Sequence, residues 1–453
     1  MILRATELNL LEKLYAKTGN QLVMVYGRDT SEYEGIIAPF LKDKKFFYFR
    51  ASSASPKALY ERMASEVSKR YDVKLTRGNY REIFNRVKSG DSSKLVVVID
   101  ESQYFKKGNE EFWDAIIQLK TKKLYPGPVM ILLYSSSLTF GSTGIDECLG
   151  ENAKRLDEKI KLLPHNFLTI VRGFQNLSVS ELVSLYGTLG GTPSHVIRWN
   201  PKKDVKANIT GLMLSPVGAL YEKADKIIGD SLRETAVYET ILGAIAAGNR
   251  KLNDLYHLTG FSRAKISVYL KNLAELDLIE KVESLETGGI ENTQKGLYQI
   301  KDTYCNFYFR FIYPYKSDLF LLTPDEFYDK HIGPFLDEYL EKYFIKVCME
   351  YITLLDKSGK FPIKIKRKGT WVGKQGTIDI LVADEARNMI AGMCNMKKEP
   401  TGLDCIKKLD FVSKKAKIKP VACFLFSSAG FTPELEEYAA ANKNYILVDM
   451  KQL

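Results

Sequence analysis

Four short apolar runs, at residues 22–26, 46–50, 95–99 and 129–134, alternate with amphipathic stretches near 5–17, 57–70, 79–88 and 110–120. The runs have the length of strands, and the stretches between them have helical period. Strand–helix alternation predicts a parallel, doubly wound α/β sheet, because parallel neighbours need a crossover long enough to hold a helix. The first run leads into Tyr26-Gly27-Arg28-Asp29-Thr30-Ser31-Glu32-Tyr33-Glu34. A phosphate loop follows its strand with glycine, four residues, then Gly-Lys-Ser/Thr; its backbone N–H groups wrap the phosphates and its Lys neutralises the β/γ charge. Here the strand and Gly27 are present, but Glu32, Tyr33 and Glu34 stand where Gly, Lys and Thr belong. Two carboxylates there would repel a triphosphate.

At 453 residues the chain exceeds a single core, so two to four domains are expected. No apolar run reaches the eighteen residues of a membrane span, and the opening Met-Ile-Leu-Arg-Ala-Thr-Glu lacks the pattern of a signal peptide. Six scattered cysteines without a Cys-x-x-Cys pair, and only four histidines, argue against a zinc site and for a reducing, cytoplasmic setting. The net charge is +11, and the stretch from Glu341 to the end holds 20 Lys/Arg against 13 Asp/Glu, so most of the excess lies there. A basic tail of this kind suits a phosphate-rich partner, and equally a solvated lysine surface.

Residues 171–230 read as helical, broken at Gly190-Gly191-Thr192-Pro193, while Phe140 to Lys154, rich in Gly, Ser and Thr, reads as a loop. A helix from Ser231 to Ala247, a second from Lys251 to Leu258, a turn at Gly260 and a third helix capped by Ser262 and running to Glu275 come next. The hairpin pattern 278–282 and 296–300 completes a winged helix-turn-helix. An aromatic helix, Tyr304 to Tyr315, leads to a second α/β region: a helix at 335–355 and strands near 361–366, 377–383, 388–395, 421–426 and 445–449. The expected divisions are 1–170, 171–230, 231–315 and 316–453.

Leu95 to Ile99 followed by Asp100-Glu101 has the form of a Walker B strand, whose Asp orients Mg²⁺ and whose Glu activates water. Ser135 ends the next apolar run, where a polar sensor would face a γ-phosphate, and Arg155 offers a trans-acting cation. On the third winged-helix segment, Ser262, Arg263, Lys265 and Lys271 are placed to meet DNA bases or phosphates.

Taken in order, these motifs resemble the archaeal-type ATPases of the AAA+/STAND group, found in archaea and bacteria, which carry a winged helix and a C-terminal nuclease-like domain of unknown function. Arg4, Glu7-Leu8 and Leu11 are similar to the family's opening motif, Tyr26-Gly27-Arg28 to its phosphate-loop entry, and Asp100-Glu101 to its Walker B. Arg155 is similar to its Gly-Arg-Arg element, and Gly190-Gly191-Thr192-Pro193 to its Gly-Gly-x-Pro turn. Gly296-Leu297-Tyr298, Ile300-Lys301-Asp302 and Phe309-Arg310-Phe311 match the segment after the wing. The resemblance implies a P-loop-NTPase-like parallel sheet, a helical lid, a winged helix and a restriction-endonuclease-like C-terminal α/β domain.

Two departures shape the functional expectation. The family's Gly-Lys-Thr is replaced at 32–34. In the nuclease-like domain Asp379 supplies the strand Asp, but Met393 and Asn395 replace the Glu and Lys of the next strand, and Ile345 replaces the helix Glu. No metal site is expected from Asp379 alone. ATP is the cofactor that the resemblance implies, with Mg²⁺ only alongside a bound nucleotide, and the acidic loop works against both. The expected protein is a catalytically impaired regulatory or binding protein associated with nucleotide or nucleic acid. Its expected partners are DNA, through the winged helix and basic C-terminal domain, and a second copy or family relative, with no membrane. The rivals are a residual ATPase using Asp100, Glu101 and Arg155, a metal-dependent nuclease using Asp379 with Glu341 or Glu350, and a purely protein-binding module.

Overall fold

The computed structural model describes residues 4–28, 33–75, 79–87, 92–106, 108–122, 124–229, 232–282, 285, 296–373 and 376–452. They form two compact units that divide between Pro164 and His165.

The first unit is a five-stranded parallel sheet. Its strands are β1 (Gln21–Tyr26), β2 (Lys45–Arg50), β3 (Leu95–Asp100), β4 (Val129–Ser135) and β5 (Glu158–Lys161), in the order β2-β3-β4-β1-β5. Alternate residues of each strand feed different cores. Leu22, Met24, Val97, Ile99, Ile131 and Leu133 pack on one face against Leu59 and Met63 of helix α2 (Pro56–Tyr71), Ile83 and Phe84 of α3 (Tyr80–Arg86), and Phe112 and Ile116 of α4 (Glu110–Thr121). Val23, Val25, Val96, Val98, Met130 and Leu132 pack on the other against Leu11 and Leu14 of α1 (Ala5–Tyr15) and Phe40. Coverage of both faces is why the strands read as unbroken apolar runs. β5 has a single buried residue, Ile160, and so left no such run.

Phe140 to Lys154 is a correction. It is not an open loop but a π-helical turn (Phe140–Gly144), a short helix (Ile145–Leu149) and a 3₁₀ segment (Gly150–Arg155). Phe140 and Ile145 are buried, so apolar side chains order what its small polar residues suggested was loose.

The second unit begins with helices α5 (Phe167–Gly173) and α6 (Val179–Leu189); Ser178 and Glu181 close a reciprocal capping box on α6. Gly190 has φ +68°, and a Cβ on Gly191 would sit 1.9 Å from the His165 carbonyl oxygen, so this turn requires its glycines. The winged helix comprises α7 (Thr235–Ala246), α8 (Leu252–Thr259), α9 (Arg263–Glu275) and the antiparallel pair β6 (Ile279–Val282) and β7 (Leu297–Ile300). The aromatic helix α10 (Thr303–Phe311) buries Phe307 and Phe311 against Tyr339 of α11 (Gly333–Lys357).

The C-terminal part is a mixed sheet of five strands. β8 (Arg367–Gly373), β9 (Gly376–Ala383) and β10 (Met389–Asn395) are antiparallel neighbours, while β10, β11 (Pro420–Ser427) and β12 (Tyr445–Asp449) run parallel. Their order is β12-β11-β10-β9-β8. Helix α12 (Asp404–Lys415) packs on one face through Ile406, Leu409 and Val412. The strand expected at 361–366 is a second correction: the ladder starts at Arg367, after an irregular stretch containing Pro362.

Candidate functional site

In the first unit, the chain leaves β1 toward β2 on one side, and leaves β4 for β5 on the other. The carboxyl ends of β1 and β4 therefore flank the topological switch point, where open parallel sheets bind ligands. Gly27 sits there and its N–H donates to the Ser135 carbonyl over 3.1 Å. A Cβ on Gly27 would meet Leu162 Cβ at 3.0 Å. Half-buried Arg28 follows. Glu32 lies outside the described residues, as do the side chains of Tyr33 and Glu34, whose backbone opens a π-helical turn (Tyr33–Ile37).

One strand further, Asp100 is only 2% exposed. In-register pairing places Arg50 opposite it, and two residues earlier on β2 the Tyr48 hydroxyl donates to Asp100 Oδ2. Arg50 Nε lies 3.6 Å from that oxygen, and its Nη2 lies 3.6 Å from Glu101 Oε1. Burial pushes the Asp100 carboxyl above the usual range, while Tyr48 and Arg50 pull it back. Its Oδ1 is buried without a hydrogen-bond partner among the described residues.

Glu101, in the left-handed region at φ 56°, turns its carboxylate into a local network. It accepts from Ser136 Oγ at 2.7 Å and from Gln103 Nε2. Ser135 Oγ donates to Gln103 Oε1 at 2.6 Å and accepts from the Ser137 N–H at 3.0 Å. Asp100, Glu101 and Ser135 are thus gathered at one sheet edge with Gly27. Exposed Arg155 instead bonds its neighbour Asn152 at 2.9 Å. Sequence reasoning missed Tyr48, Arg50 and Gln103; the run at 46–50 was visible, but the register that sets it beside Asp100 was not.

Mg²⁺ demands near-octahedral oxygen coordination, drawn largely from water and phosphate. Of the four carboxylate oxygens of Asp100 and Glu101, Asp100 Oδ1 has no hydrogen-bond partner among the described residues, and the other three have donors or a cation beside them.

In the second unit Asp379 Oδ2 accepts the Cys394 N–H at 2.9 Å. Burial raises its carboxyl, with Lys408 lowering and Glu341 raising it more weakly. Glu350 is used elsewhere: it accepts the Phe167 N–H at 3.0 Å at the start of α5. Met393 is buried, and Asn395 donates to Thr401 Oγ1 at 2.8 Å. No group of three metal-ligating side chains occurs among the described residues.

On the winged helix, Ser262 caps α9 by accepting the Lys265 N–H at 3.2 Å. Arg263 stands 4.7 Å over the Tyr256 ring and Lys265 4.9 Å over Phe261. Both cations are exposed. Lys271 faces Glu275 at 3.8 Å.

Sheet, switch point and C-terminal mixed sheet define an α/β protein of P-loop-NTPase-like fold. Residues 308–406 match the model of a family described as archaeal and bacterial proteins of unknown function. Uncharacterized protein MJECL04 of Methanocaldococcus jannaschii is 24% identical over 388 residues, 84% of either chain. Among solved structures, the ORC2 protein of Aeropyrum pernix is 13% identical with a TM-score of 0.44, covering 68% of this chain and 92% of that one. The STAND protein PH0952 of Pyrococcus horikoshii is 12% identical with a TM-score of 0.29, covering 79% of this chain and 50% of that one. No helix among the described residues is long and apolar enough to cross a membrane.

Proposed function

We propose that this chain is a non-hydrolysing regulatory or binding protein on an ATPase scaffold, associated with nucleic acid. The observation that carries the reading is the internal use of Asp100 and Glu101. Arg50 supplies from β2 the positive charge that a metal would bring, and Glu101 is held by Ser136 and Gln103 rather than aimed at a water. A general base has to reach the proton it abstracts, and this one is occupied.

The test is titration of a fluorescent ATP analogue with Mg²⁺, alongside phosphate release. The expected outcome is no saturable binding at micromolar concentrations and no turnover. Micromolar saturation, or phosphate release abolished by Glu101→Gln, would overturn the reading.

The nucleic-acid part rests on α9. Arg263 and Lys265, each braced by an aromatic ring, lie exposed in the first turn of a helix with a capped N-terminus. Such groups suit phosphate contacts that position a duplex. Retention of duplex DNA in a gel shift, falling with salt and weakened by Arg263→Gln/Lys265→Gln, is expected; salt-independent or absent retention would sink this part.

A further inference from the structure

We propose that Lys342 and Lys346 of α11, with Arg250 and Arg310, form a second phosphate-binding locus that holds the backbone of a nucleic-acid strand. The inference rests on the nucleic-acid reading above and extends it to residues outside α9.

Two lysines of α11 stand over one pair of tyrosine rings, and the charges of Arg250 and Arg310 act on Lys342 from two other segments. Lys342 and Lys346 are one turn apart on α11 and so share a face. Lys342 Nζ lies 4.2 Å over the Tyr339 ring and 5.1 Å over Tyr343, and Lys346 Nζ lies 5.5 Å over Tyr343. Both rings are buried and tied together, with the Tyr339 and Tyr343 hydroxyls 3.1 Å apart and Asn306 donating to Tyr343 at 3.0 Å. Phe311, set edge-on to Tyr339 at 5.0 Å, ties α10 to this platform, and the charge of exposed Arg310 on the same helix acts on Lys342. Arg250, between α7 and α8, is fixed by bonds to the Tyr298 carbonyl at 3.1 Å and to Gln299 Oε1 at 2.8 Å.

None of the four has a carboxylate within ion-pair distance among the described residues. Other lysines of the unit do: Lys301 with Asp277, Lys316 with Asp225 and Lys330 with Asp318. The nearby acids are engaged: Glu280 accepts from Gln299, Asp302 caps α10, and Glu350 caps α5. Lys342 reaches solvent, yet the packing around its stem and then the charges of Lys346, Arg250 and Arg310 push its amine down to about 7. Crowded like charges on a rigid platform are relieved by an external anion. Spread over three elements rather than folded into one loop, they suit a chain of phosphates better than a single one. Arg250 also places the locus on the winged helix itself.

The test uses the full chain and a labelled DNA duplex, followed by anisotropy across a salt titration. Each phosphate contact contributes about 0.9 to the slope of log K against log salt. Lys342→Gln/Lys346→Gln is therefore expected to reduce that slope by about 2, with Lys342→Arg retaining it and circular dichroism confirming folding. An unchanged slope in the double variant overturns this inference; absent salt-dependent binding by the wild type overturns the underlying reading instead. As a measurement free of mutation, acetylation near neutral pH should label Lys342 ahead of other lysines. Duplex should protect it while inorganic phosphate at equal phosphate concentration does not. Equal protection by inorganic phosphate would overturn assignment to a strand.

Discussion

Asp100 shows how a single residue's chemistry is set by what surrounds it. Burial removes its hydration, and the Tyr48 hydroxyl and Arg50 guanidinium restore part of what is lost. Tyr48→Phe is expected to destabilise the first unit by about 1.5–3 kcal/mol, since it removes a hydrogen bond to a charged, buried acceptor. Arg50→Met should cost less, about 1 kcal/mol, because Arg50 is 49% exposed and its pairing is screened. Urea unfolding measures both. Because the native carboxyl is raised, the folded state binds a proton more readily than the unfolded chain. Stability contributed here falls as pH rises from the ordinary carboxylate range through the native value. Asp100→Asn should flatten that part of the stability–pH curve, and an unaltered curve would refute the assignment.

At the scale of elements, the turn after β4 is more constrained than its composition suggests. A Cβ on Gly141 would lie 2.1 Å from Tyr26 Cγ, and that ring, packed at the end of β1, has little room to retreat. Gly141→Ala is expected to destabilise by about 3 kcal/mol or more, the upper range for overpacking. Ser178→Ala removes one half of the capping box on α6 and should cost about 1 kcal/mol. Thermal unfolding separates the two by size. The contrast also explains what was legible. Ser262 before α9 and the Gly-Gly-x-Pro turn announce themselves because caps and glycines act locally. Phe140 and Ile145 did not, because their order comes from neighbours distant in sequence. β5 escaped notice for a related reason: an edge strand needs only Ile160 to be apolar.

For the whole molecule, the C-terminal sheet is expected to be a scaffold without nuclease activity. Supercoiled plasmid incubated with Mg²⁺ or Mn²⁺ should remain uncut, with Asp379→Ala altering stability but not nicking; metal-dependent nicking lost in that variant would contradict it. Helix α11 packs on β9 and β10, buries Cys348 and Ile352, and gives Glu350 to the cap of α5. That dual use shows why Glu350, a reasonable ligand candidate by composition, is spent on structure.

Periodicity alone determined the parallel sheet, the winged helix and most strands of the C-terminal sheet, since apolar spacing and caps are properties of neighbours along the chain. The residue order by itself also decided that positions 32–34 carry no phosphate-loop cation. Only the tertiary structure decided what surrounds Asp100 and Glu101, and which cations have no carboxylate within ion-pair distance among the described residues. Strand register and helix packing bring Arg50, Gln103 and Arg310 to places that no local spacing encodes, and charge interactions depend on distance in space.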